Sequence, residues 1–97
     1  LSFETNNTNS VDFGTLEITM NTHGNVLAVW VHFDAYYNTS KVWSNGYTVG
    51  VGWGMAEPVS ISRPVTRPDI TIDESGNGLA VWQQSYDSIW ANHYTAP

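Results

Sequence analysis

The sequence predicts an all-β chain in which one antiparallel unit is used twice, and three observations carry that prediction. Residues 18–30 recur at 70–82 with eight of thirteen positions identical, at a constant offset of 52. Residues 42–48 match 89–95 at an offset of 47, so the five-residue difference falls in the connection between Trp30 and Val42. Insertion confined to a connection, with flanking runs preserved, marks a structural repeat. No stretch shows the apolar period of an amphipathic helix. An antiparallel meander of about 50 residues is the period of a β-propeller blade. A small β-sandwich with duplicated halves is the plainer alternative.

Each element has its own signal. Residues 1–4 alternate apolar and polar and read as a short strand, followed by a polar loop at 5–10. Residues 16–20 form the next strand, which turns at Asn21-Thr22-His23-Gly24-Asn25, where Gly and Asn supply positive φ. The return strand, 26–33, carries Leu27, Val29 and Val31 on one face and Ala28 and Trp30 on the other. A strand apolar on both faces belongs to a sheet covered on both sides. A loop at 34–40 leads to a third strand at 41–49, with Trp43, Asn45 and Tyr47 on one face. Residues 50–54 read as a glycine-rich connection and 57–61 as a fourth strand. Pro64 and Pro68 are expected to break the ladder between the units. The second unit then repeats three strands, at 69–73, 78–84 and 88–95. Asn6-Asn7-Thr8 and Asn38-Thr39-Ser40 have the form of glycosylation acceptors and read as plain polar loop.

The expected organisation is a single propeller segment over residues 1–97. Residues 16–61 are one blade and 62–97 a second lacking its outer strand. Residues 1–15 supply an outer strand and loop that complete a neighbouring or last blade. Two blades leave apolar sheet faces open. The ring is therefore expected to close by oligomerisation, as a six-bladed trimer ahead of an eight-bladed tetramer, or within a longer propeller.

Composition narrows the function classes. Nine acidic residues against three basic ones (Lys41, Arg63, Arg67) give a net charge of -6. That disfavours nucleic acid and an anionic membrane surface, which need clustered Lys and Arg. No apolar run approaches the roughly 20 residues of a membrane-spanning helix. With no cysteine, thiolate metal sites and cysteine nucleophiles are closed. The scarcity of Lys, with abundant Asn, Thr, Ser, Gly and aromatics, leans toward a secreted or surface protein.

The runs Asp73-Glu74-Ser75-Gly76-Asn77-Gly78-Leu79-Ala80-Val81-Trp82, Ile89-Trp90-Ala91-Asn92-His93-Tyr94 and Gly52-Trp53-Gly54-Met55-Ala56-Glu57 resemble the repeats of secreted bacterial β-propellers. The resemblance covers most of residues 16–97 and implies the fold, with little about role. The two-blade length is similar to that of small fucose-binding lectins, whose chains trimerise into a six-bladed ring; their sugar-binding motif has no residue-by-residue match here. Thr71-Ile72-Asp73-Glu74-Ser75-Gly76 departs from the sialidase Asp-box in glycine spacing, so no sialidase activity carries over.

The chemistry expected is binding without catalysis. Spacing singles out no carboxylate pair of the kind glycoside hydrolysis requires, and no G-x-S-x-G elbow occurs. His23, His32 and His93 lack metal-ligand spacing. The acidic turns form no all-oxygen calcium set, so no metal or cofactor is expected. A lectin site combines an aromatic ring that stacks on a pyranose with a few convergent polar groups. In a propeller one rim would carry Asp34, Tyr36, Tyr37, Asn38, Tyr86 and Asp87 with Arg63 and Arg67, and the opposite rim would carry Trp53. Asn45 with Asn92 and Tyr47 with Tyr94 read as packing ahead of ligand platform. The expected function is a multivalent glycan-binding ring. The alternatives are a structural or protein-binding surface propeller, and a piece of a larger glycan-processing enzyme.

Overall fold

The computed structural model describes residues 16–34, 39–60, 65–85 and 88–96. The strand expected at residues 1–4 lies outside this set. The described residues form β-strands and no helix. One sheet contains β1 (Glu17–Met20), β2 (Val26–Asp34), β3 (Thr39–Thr48), β4 (Gly52–Trp53) and β5 (Glu57–Pro58). A second contains β6 (Val65–Ile72), β7 (Gly78–Gln84) and β8 (Ser88–Tyr94). Each sheet is an antiparallel meander in chain order.

The repeated turn explains why both units start alike. Asn21 Oδ1 accepts hydrogen bonds from the backbone N–H of His23 and Asn25, at 3.0 and 3.1 Å. Asp73 Oδ1 accepts from Ser75 and Asn77, both at 2.9 Å. Gly24 and Gly76 follow at φ 89° and 88°, a conformation that favours glycine. Asn25 and Asn77 then reach across the sheet, accepting from Val49 N and Ala96 N to hold the end of the third strand. The two turns also touch. Asn21 Nδ2 donates to the Asp73 carbonyl at 3.0 Å, and Thr22 donates to the Glu74 carboxylate through its backbone N–H and its hydroxyl. His23 lies 3.4 Å from the same carboxylate.

The Thr22 hydroxyl, then its backbone N–H, hold the Glu74 carboxyl below its ordinary value of 4.5, with His23 acting in the same direction. A lowered acid stabilises the fold above its ordinary value, and that contribution fades as pH falls through the lowered one. Glu74 is fully exposed, so the effect is small. The buried Asn21 matters more. Asn21→Ala is expected to cost about 2 kcal/mol, because three hydrogen bonds disappear and two turn N–H groups lose their acceptor; urea denaturation measures it.

β2 is buried on both faces, as its sequence implies. Toward the second sheet, Val29, Val31 and Val42 pack with Val65, Ala80 and Trp82, and with half-buried Val59 and Ile70. On the far face Ala28 and Trp30 pack with Ala56, Leu16 and Trp43. Trp82 therefore sits between the sheets, whereas its counterpart Trp30 lies on the outer side of the first. The sheets meet with unlike faces: the Leu27–Val29–Val31 row of one covers the Ala80–Trp82 row of the other.

Three boundaries differ from expectation. Pro68 does not end the ladder: it lies inside β6, which starts at Val65 rather than at residue 69. The register shifts between Thr66 and Asp69, and Arg67 there adopts φ 53°. A bulge leaves a residue unpaired, so the N–H that proline lacks is not required. The glycine-rich connection at 50–54 contains strand β4, and the fourth strand runs as β4 and β5 rather than over 57–61. The pairing with β3 slips by one residue between Trp53 and Glu57, so β4 and β5 are one strand broken by a bulge.

Candidate functional site

Among the described residues a cleft of about 410 Å³ opens between the sheets, within the range of small-molecule sites. Leu27, Val59, Ile70 and Ala80 give it an apolar lining, and the bulged segment brings Met55 and Glu57 to it. β8 contributes Asn92, His93 and Tyr94. Among the described residues Glu57 is the one carboxylate in the lining, and no Lys or Arg lines it.

Tyr94 shapes one wall. A Cβ on Gly46 would come within 2.6 Å of the Tyr94 hydroxyl, 3.0 Å of Cζ and 3.1 Å of Leu27 Cδ2, so the phenol rests on that glycine. The second copy has His93 where the first has Gly46. Burial pushes the Tyr94 phenol upward, and the Glu57 carboxylate pushes it the same way. The hydroxyl therefore stays protonated at neutral pH, a donor in the same lining as the Glu57 carboxylate.

The paired asparagines serve structure first. Asn45 Oδ1 accepts from Gly46 N, and Asn92 Oδ1 accepts from His93 N, each at 2.8 Å. Asn92 Nδ2 donates to the Val59 carbonyl at 3.1 Å, tying β8 to the first sheet across the cleft. The third-strand tryptophans differ. Trp43 is half-buried against the Ala28–Trp30 face, while Trp90, on the same face of β8 as Asn92 and Tyr94, is 49% exposed.

The residues expected from the sequence to bind ligand are described only in part. Tyr36, Tyr37, Arg63, Tyr86 and Asp87 are outside the described residues, and Asp34 is described only as the end of β2, opposite Thr39. Val65 N donates to Ser40 Oγ at 3.3 Å, so the start of β6 lies beside the start of β3. Arg67 is exposed at the β6 bulge. Trp53 is half-buried in β4, edge-on to Tyr47 with ring centroids 5.6 Å apart. The cleft uses neither. Its sequence signal was Gly46 standing where the second copy has His93; that this glycine makes room for Tyr94 is legible only once the two sheets are known to face each other.

Among the described residues no group of three His, Cys, Asp or Glu is placed to hold a metal ion. Comparison with family models, curated proteins and solved structures found no match.

Proposed function

We propose that the chain is a two-blade segment of a secreted or surface-exposed β-propeller that binds carbohydrate, without catalysis, in the cleft between its sheets. The carrying observation is the cleft's make-up: an apolar lining that also holds a phenol donor, Tyr94, and a carboxylate acceptor, Glu57. A pyranose presents the matching surfaces, an apolar C–H face and hydroxyls that both donate and accept. Trp90, half-exposed on the strand face that carries Asn92 and Tyr94 though outside the cleft lining, would supply a stacking ring on that face. Among the described residues the lining holds a single carboxylate, which supports binding over hydrolysis, which uses two. The propeller part of the proposal rests on the repeat and on the unlike faces by which the sheets meet. Ring closure, as a trimer or within a longer propeller, gives several clefts and hence avidity.

A glycan array tests the proposal. Binding to a defined set of sugars is expected, and an empty array on folded protein overturns it. For a sugar that binds, Trp90→Ala and Glu57→Gln are each expected to weaken affinity roughly tenfold, about 1.4 kcal/mol; titration calorimetry reads both. A second reading, a protein-binding surface module, is favoured by the apolar residues exposed on the second sheet, Leu79 and Ile89.

A further inference from the structure

The ladder of the first sheet sets a carboxylate and a phenol side by side in the cleft. Glu57 stands directly opposite Ser44, and Ser44 opposite Val29, so both side chains are on the face turned toward the second sheet. Gly46, two residues further along β3, shares that face, and the Tyr94 hydroxyl rests against it. Gly46 and Glu57 are therefore diagonal neighbours, with backbones roughly 7–8 Å apart. Two substituents of one pyranose can bridge such a spacing, with Ile70 and Ala80 as the apolar wall across the cleft.

Charge decides which sugar fits. Glu57 is exposed, and no described residue hydrogen-bonds or ion-pairs with its carboxylate. The described cations point elsewhere. Lys41 lies opposite His32, on the Trp30 face of the first sheet, and Arg67 sits at the β6 bulge outside the lining. His93 lies opposite Leu79, on the face of β8 turned away from Asn92 and Tyr94. A carboxylate without an offsetting cation repels an anionic sugar, and its hydrogen bond to a charged donor is roughly twice as strong as a neutral one. We infer that the cleft selects a sugar bearing a free, protonated amine, a glucosamine-type unit whose ammonium donates to Glu57 while a ring oxygen accepts from Tyr94. This names the ligand class of the proposed carbohydrate site and rests on that reading. Acetylation of the amine removes its charge, and a uronate brings charge of the wrong sign.

Titration calorimetry of the 97-residue chain tests the inference with a glucosamine tetramer, its fully N-acetylated form and a galacturonate tetramer. The glucosamine tetramer is expected to bind at least tenfold more tightly than the acetylated one, and the galacturonate not at all. Raising the salt is expected to narrow the gap, because the pair at Glu57 is exposed. In Glu57→Gln the glucosamine and acetylated tetramers are expected to bind alike. Glu17→Gln removes the same charge from an exposed position outside the lining and is expected to keep the tenfold gap. A gap that closes equally in both variants would mean diffuse attraction of a polycation to an acidic chain, and it overturns the inference. So does an unaltered chain that binds the acetylated tetramer as tightly as the free amine, an outcome that leaves the carbohydrate reading standing. A folded chain that binds none of these, nor any sugar on the array, sinks that reading and the inference with it.

Discussion

Trp82→Ala is expected to remove about 3–5 kcal/mol, the cost of deleting a large aromatic side chain from a packed core. Trp82 is 3% exposed and packs with Val29, Val31, Val42, Val65 and Ala80, so its loss empties the centre of the inter-sheet core. Its indole N–H donates to Gln84 Oε1 at 3.2 Å, and the truncation leaves that buried amide without its donor. For a domain of this size each kcal/mol shifts Tm by roughly 4–8 °C, so thermal unfolding should move down by more than about 12 °C. Trp90, directly across the ladder from Trp82, is the control. Being half-exposed, it is expected to cost under about 1 kcal/mol when cut to Ala. Equal losses at the two positions would contradict the inter-sheet core described above.

Gly78→Ala is expected to destabilise by about 3 kcal/mol through overpacking. The added Cβ would overlap Leu27 Cδ1 and lie 2.8 Å from the Thr71 carbonyl oxygen. Leu27 borders the cleft and its Cδ1 can shift, but the Thr71 carbonyl is backbone in the paired strand β6 and cannot give way without opening the ladder. The first copy holds valine at the equivalent position, Val26, so a rule drawn from the repeat alone would predict that a side chain is tolerated. Chemical denaturation of the variant separates the two: a midpoint unchanged from the parent would contradict the close approach of the two sheets.

The repeat made much of the fold legible. Matching Asn21–Asn25 with Asp73–Asn77 located both hairpins, and the apolar run through Leu27 and Trp30 marked a strand covered on both faces. These are local signals, set by turn chemistry and period. Pro68 misled because a proline in a strand reads as a stop; a bulge with Arg67 in the left-handed region lets the ladder pass around it. Strand β4 was hidden by its glycines, since two residues carry no period. The cleft was hardest to read because no segment contains it. Glu57 comes from the fourth strand of one unit and Tyr94 from the third strand of the other. What joins them is the packing of unlike faces, which a repeat alignment does not display.

The central claim is that sugar enters the cleft between the sheets. An amide chemical-shift titration, with a sugar that binds on the array, tests it most directly. The expected result is saturable shifts clustered at Gly46, Glu57, Asn92 and Tyr94, which line the cleft from both sheets. Shifts confined to the connection holding Tyr36 and Tyr37, with the cleft residues unmoved, would contradict it and return the site to the rim.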